Sequence, residues 1–227
     1  MSKTQPPRTP TAADLQDKPP LPRPPRLKPL RTKADIDAIS YFDDEEREIA
    51  LEYLLRSVRN YGNQPTITVA TAAHDPKGAR AKARLNEALN PLIDNDGLTR
   101  HTTQGSVLHL MVYLTLKHVN DECLVGALAT GNVKRGAVPA FKPHHLAMVD
   151  FPESEVWSDQ QRLSLKFTKA VLNSAMTDEI WDAAVKMWGV KKVLGYIQMI
   201  GNFWYVGTRN RVLNVHHPVY RDRNESA

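Results

Sequence analysis

Apolar residues recur every three or four positions along most of this chain, which is the spacing that lines one side of an α-helix. In the first such stretch Asp43 or Asp44 can cap the start of a helix, and Ile49, Tyr53 and Leu54 form its apolar side. We therefore predict a helix over residues 43–61. The same spacing predicts further helices at residues 76–92, 99–118, 121–131, 158–174, 177–188 and 190–213.

Polar residues that can cap a helix precede four of these stretches, namely Thr99, Asp121, Ser158 and Thr177. Two connecting segments are less regular. Residues 66–73 are rich in β-branched side chains and fit either a strand or a short buried helix, and the prolines in 136–152 indicate an irregular connection. Because no alternating apolar and polar pattern of useful length occurs, we predict an all-α fold.

The N-terminal segment has a different composition from the rest of the chain. Nine of the sixteen prolines lie within the first 29 residues, and the first 33 residues hold eight Lys and Arg against two Asp. We predict a disordered or extended, basic, proline-rich arm over residues 1–40, an all-α domain over 41–216 and a polar tail over 217–227. The arm is either a solvated leader or a docking element for a partner protein.

Charge and cysteine content exclude several classes of protein. The net charge is +5, and since residues 1–33 contribute +6, the rest of the chain is nearly neutral and only the arm could contact nucleic acid. A single cysteine excludes an internal disulfide and an all-cysteine zinc site, and it fits a reducing, intracellular compartment, cytoplasmic or mitochondrial. No apolar run is long enough to span a membrane, and glycine-rich phosphate loops and His-Glu-x-x-His are absent. We expect no cofactor and no metal.

The predicted C-terminal helices contain three segments, residues 158–171 (SDQQRLSLKFTKAV), 176–188 (MTDEIWDAAVKMW) and 193–206 (VLGYIQMIGNFWYV), followed by RVLNV at 211–215. In these segments the chain resembles the carboxymuconolactone decarboxylase family, which is related to the alkyl hydroperoxidase D-like proteins. The resemblance continues more faintly upstream to about residue 43. The resemblance implies an alkyl hydroperoxidase D-like helical bundle and a homo-oligomer.

The redox branch of that family uses a Cys-x-x-Cys pair at the start of a helix, with a histidine four residues after the second cysteine. Aligning Cys123 with the first of these cysteines places Gly126 at the second and Thr130 at the histidine. A lone thiol cannot complete an intramolecular disulfide cycle. The flanking Asp121 and Glu122 disfavour a thiolate, so we expect Cys123 to be a buried structural residue.

The decarboxylase branch needs no thiol, and its chemistry uses histidine, carboxylate and arginine side chains. We predict that His118 and Glu122, four residues apart across a helical hairpin turn, transfer protons, with Cys123 as an auxiliary group. Arg100 could hold a carboxylate.

Other histidines are weaker candidates. His101 and His109 share a helix face and are best explained as satisfied polar residues, and the adjacent pairs His144-His145 and His216-His217 are expected at the surface, with neighbours pointing apart.

Two functions follow from the resemblance. The first is a thiol-independent lyase or decarboxylase acting on a small carboxylated substrate. The alternative is a catalytically inactive copy of the fold that serves as a structural subunit of a larger assembly, which could be mitochondrial, tethered by its N-terminal arm. The aromatic residues of the last two helices are expected in the core or in a subunit interface.

Overall fold

A computed structural model describes residues 24–61, 65–89, 107–121, 124–126, 128 and 143–215. These residues are mostly helical and contain no strand, which confirms the all-α prediction for the part of the chain described. The helices are α1 (Lys33–Asp37), α2 (Asp44–Tyr61), α3 (Ile67–Ala72), α4 (Pro76–Leu89), α5 (Val107–His118), α6 (Pro143–Ala147), α7 (Asp159–Leu172), α8 (Asp178–Trp188) and α9 (Val190–Val212). Residues 124–126 are also helical.

The predicted caps account for several helix starts. The Ser158 side chain accepts a hydrogen bond from the backbone of Gln161, whose own side chain accepts one from the backbone of Ser158. Thr177 caps α8 through the backbone N–H of Ile180. Asp121 accepts a 3.1 Å hydrogen bond from the N–H of Leu124, so it caps the segment that contains residues 124–126, as predicted. Thr99 lies outside the described residues.

The two irregular segments both contain helix. Residues 67–72 form α3, capped by Thr66, so the short buried helix is confirmed over the strand. Within the connection predicted for 136–152, the described residues 143–147 form α6 and are followed by turns. A proline at the first helical position supplies the φ angle that a helix needs and has no N–H to leave unpaired, which explains how Pro143 can start a helix.

Helix α5 lies at the centre of the core, because all of its residues from Val107 to Leu116 are buried. One side of α5, including Met111 and Leu116, packs in a cluster with residues of α7, α8 and α9. Another side, including Leu110 and Leu114, packs in a second cluster with residues of α6 and α7 and with Trp157. Apolar side chains all round a helix therefore find neighbours all round it.

The segment before α2 packs against the body. Leu30 and Ile36 are buried in a third cluster with residues of α2 and α3. The backbone N–H of Arg26 donates a 3.0 Å hydrogen bond to the carbonyl of Leu213, and the Asn214 side chain donates one to the carbonyl of Pro24. The described part of the predicted arm, residues 24–40, is therefore joined to the C-terminal end of α9, and residues 1–23 lie outside the described residues.

None of the helices in the described ranges is long and apolar enough to cross a membrane.

Candidate functional site

A surface pocket lies where α5 and α7 end. It has a volume of about 350 Å³ and is lined by Leu114, Lys117, His118, Asp150, Lys169, Leu172 and Asn173. We call it the α5–α7 pocket. The first three lining residues come from the last turn and a half of α5, the last three from the end of α7, and Asp150 from the turn after α6.

Helix ends explain why basic residues gather here. Lys117 and His118 occupy the last turn of α5, and Lys169 occupies the last turn of α7. The last turn of a helix carries partial negative charge from carbonyl groups without an intrahelical partner, and cations there are favourable. Two helix ends that meet at one place therefore bring their cations to one pocket.

Asp150 holds both lysines in place. The Lys169 ammonium donates a 2.6 Å hydrogen bond to the backbone carbonyl of Asp150, and the Lys117 ammonium contacts the Asp150 carboxylate. Both lysine side chains reach the same residue from different helices. With two ammonium groups and one carboxylate, the pocket carries excess positive charge and suits an anionic ligand.

The predicted catalytic residues have different positions relative to this pocket. His118 is exposed and lines the pocket. Glu122 and Cys123, predicted beside it, lie outside the described residues, and so do Arg100 and His101. The structure therefore brings His118 together with residues that the sequence analysis did not single out.

His109 lies in the core and outside the pocket. It is 2% exposed, and burial lowers its pKa to about 4, so the imidazole is neutral at physiological pH. Since every residue of α5 from Val107 to Leu116 is buried, the side of α5 that carries His109 is an interior side. His109 is therefore a core residue.

The pair His144-His145 lies on α6. His144 is exposed and His145 is half-buried, and their ring centroids are 4.2 Å apart. The expectation that neighbouring side chains point apart is wrong here, because a helix separates successive side chains by about 100° while an extended strand separates them by about 180°. His216 and His217 lie outside the described residues.

The residues missed by the sequence analysis are Lys117, Asp150, Lys169 and Asn173. A signal existed for the two lysines, since both are basic residues near the end of a predicted helix. No local signal marks Asp150, which joins the pocket through contacts across 33 and 19 residues of chain.

No set of three or more His, Cys, Asp or Glu side chains within the described ranges is placed to hold a metal ion. No protein-family model, no curated protein and no solved structure matches the chain, so the resemblance carried by its C-terminal helices stays a prediction.

Proposed function

We propose that this protein is a thiol-independent lyase or decarboxylase of the carboxymuconolactone decarboxylase type, and that it acts on a small carboxylated substrate in the α5–α7 pocket. The observation that supports the proposal is that the His118 imidazole lines the same pocket as the ammonium groups of Lys117 and Lys169. The pocket thus combines groups that bind a carboxylate with a group that can move a proton.

In this proposal Lys117 and Lys169 bind the substrate carboxylate. A charge-assisted hydrogen bond from an ammonium group to a carboxylate is stronger than one between neutral groups. Because Asp150 already holds both lysine side chains, they lose less conformational freedom when a ligand binds. Leu114 and Leu172 supply the apolar part of the lining, against which the carbon skeleton of the substrate can pack.

Proton transfer falls to His118. Loss of carbon dioxide leaves an electron pair on the substrate carbon, which a keto or lactone carbonyl of the substrate can accept. The carbon must then be protonated, and an imidazole is the side chain whose ordinary pKa suits proton transfer near neutral pH. Glu122 and Cys123 keep their predicted roles, Glu122 as the partner of His118 in proton transfer and Cys123 as an auxiliary group.

The test is release of carbon dioxide from a panel of small carboxylated lactones and β-keto acids by the full-length protein. We expect turnover, and we expect His118→Gln to lower kcat by about 100-fold or more, as for other general acids. Lys169→Met should mainly raise KM, because it removes a group that binds the substrate. His144→Gln is the matched control, since it removes an exposed imidazole that does not line the pocket.

The proposal fails if the folded protein turns over nothing in the panel, or if His118→Gln is as active as the unmodified chain. Failure would favour the alternative, a catalytically inactive subunit tethered by its N-terminal arm. Native mass measured on protein isolated gently from its source separates the two, because a free homo-oligomer favours the enzyme and recovery only within a large assembly favours the subunit. We propose an intracellular compartment, cytoplasmic or mitochondrial, and the single cysteine supports this.

A further inference from the structure

One side of α9 is apolar and uncovered. Eight residues at helical spacing lie on this side and form what we call the outer face of α9: Val190, Leu194, Ile197, Gly201, Trp204, Tyr205, Thr208 and Val212. Six of them are exposed, whereas Ile197 and Thr208 are half-buried and Ile197 also packs against the core. Leu194 is 53% exposed and Trp204 47% exposed, and none of the eight residues is charged. The outer face of this 23-residue helix therefore presents no charged side chain to solvent.

The opposite side of α9 already has its neighbours. Val193, Tyr196 and Ile200 are buried in the cluster that contains residues of α5, α7 and α8. Helix α9 cannot turn its outer face inward without exposing these residues. A helix that is apolar on both sides is normally buried on both sides, so the outer face lacks a partner within the described part of the chain.

The exposed area is of the size that a stable contact between proteins needs. Two aromatic and several aliphatic side chains, each about half exposed, present roughly 600 Å² on one copy. Pairing two such faces would bury about 1,200 Å² in total, which is the lower end of specific protein interfaces.

The shape of the outer face fits the outer face of a second copy of the chain. Gly201 lies exposed in its middle, and a Cβ atom built there meets nothing within 4 Å, so the face has a hollow. One turn further along, Tyr205 projects from the face and is 49% exposed. When two such helices lie antiparallel about an axis near residue 203, Tyr205 of each copy lies opposite Gly201 of the other. The same register places Leu194 of each copy opposite Val212 of the other.

Charge agrees with this register. Arg209 lies at the edge of the face with its guanidinium 5.9 Å from the centre of the Tyr205 ring, and Lys191 lies at the same edge near the other end of the helix. In the antiparallel register these two cations are opposite Ile197 and Val215, so no like charges meet. An apolar centre with charges at the edge is the usual arrangement of protein interfaces.

We propose that the outer face of α9 is the contact surface between two copies of this chain, related by a two-fold axis near residue 203, with Tyr205 of each copy seated over Gly201 of the other. A two-fold axis pairs a surface with itself, so a face whose projection and hollow are one turn apart fits this symmetry directly. The proposal does not depend on chemistry in the α5–α7 pocket.

A second occupant has to be tested against this one. Residues 1–23 precede Pro24, whose carbonyl accepts a hydrogen bond from the Asn214 side chain just after α9, so they are the other occupant to test. The complementary relief favours a second copy, because the matched hollow and projection require a partner with the same shape.

Sedimentation velocity of the full chain from 1 to 100 µM tests the proposal. We expect a reversible dimer, and we expect Leu194→Glu to weaken self-association at least ~10-fold because it places a charge in the apolar face. Leu55→Glu is the matched control: Leu55 is an exposed leucine on α2, away from the outer face, and its replacement should leave the dimer unchanged.

A swap of hollow and projection tests the register. Gly201→Tyr fills the hollow and should weaken the dimer, and Tyr205→Gly removes the projection and should also weaken it. The double variant carries the projection and the hollow in exchanged positions, so it should recover most of the lost affinity. Since position 201 is exposed and a Cβ atom there meets nothing within 4 Å, far-UV circular dichroism should show a folded protein in each case.

Three results would overturn the proposal. The unmodified chain could stay monomeric at 100 µM, Leu194→Glu could leave the oligomer unchanged, or the double variant could associate no better than either single one. Deletion of residues 1–23 decides between the occupants. A dimer of unchanged affinity supports the second copy, whereas a monomer that dimerises only after the deletion assigns the outer face to the N-terminal segment.

Discussion

Helices α5 and α9 both carry apolar residues on opposite sides, and their surroundings differ. In α5 every residue from Val107 to Leu116 is buried, because clusters of side chains cover it from two sides. In α9 only one side is covered, and the outer face remains exposed. The comparison shows that apolar residues on opposite sides of a helix do not ensure that both sides are buried within the described part of the chain.

The largest effect should come from removing a side chain of α5. Leu110 is fully buried, and Leu110→Ala should lower the free energy of unfolding by about 3 to 4 kcal/mol, because it removes apolar contacts and leaves a cavity. Leu194→Ala on α9 should cost less than about 1 kcal/mol in the monomer, since Leu194 is half exposed. Urea unfolding at a protein concentration well below that of dimerisation measures both. Equal losses would mean that the outer face is covered within one chain.

Acidic pH should weaken the core around α5. His109 has a folded-state pKa of about 4 against an ordinary value of 6.5, because burial disfavours the charged imidazole. The unfolded chain therefore binds the extra proton between pH 6.5 and 4, and stability falls as pH falls through that range, by up to about 3 kcal/mol. The measurement is the free energy of unfolding against pH for the unmodified chain and for His109→Leu. The variant should lose this part of the pH dependence even if it is less stable at pH 7.

Two glycines of α9 lie on different sides of the helix, Gly207 on the covered side and Gly201 on the outer face. A Cβ atom at Gly207 would lie 2.5 Å from a methyl carbon of Val119, so Gly207→Ala should destabilise the protein by about 2 kcal/mol. Gly201→Ala meets nothing and should stabilise the monomer by up to about 1 kcal/mol, because alanine favours helix more than glycine does. Thermal unfolding of the two variants side by side gives the signs, and two shifts in the same direction would contradict the assignment of the two faces.

A further pH-dependent effect concerns Lys82, which lies on α4 near Arg209 of α9. Burial, and then the nearby charge of Arg209, lower the pKa of Lys82 to about 8. Its charged form therefore costs stability below pH 8, and the cost disappears as pH rises towards the ordinary value of 10.5. Because the side chain is only half-buried, we expect Lys82→Met to stabilise the protein at pH 7 by about 1 to 2 kcal/mol. Lys82→Arg keeps the charge and is the control, since it should show neither the gain nor the pH dependence.

Local signals in the sequence predict much of the fold. Ser158, Thr177 and Asp121 cap where they were predicted to cap, because a capping side chain acts on backbone groups only a few residues away. The choice between strand and helix for residues 66–73 needed the structure. The β-branched side chains of this segment fit both a strand and a helix, and burial against neighbouring elements decided the outcome.

The site was less accessible to sequence reasoning. His118 was predicted from its chemistry, and the structure adds that it lines a pocket with Lys117 and Lys169. Asp150 could not be predicted, because its contacts with these two lysines depend on how α5 and α7 pack and not on any pattern in the neighbouring sequence. Contacts of that kind depend on tertiary structure, and the spacing of apolar residues along the sequence does not predict them.

The hydrogen bonds that join residues 24–26 to residues 213–214 have a topological consequence. They bring the two ends of the described fold together, so a short linker between them would close the backbone into a ring. Such a ring can be reopened in the exposed turn at residues 174–176, between α7 and α8. The protein is therefore a good scaffold for circular permutation, with new ends that are far in sequence from both the segment at residues 24–26 and the end of α9.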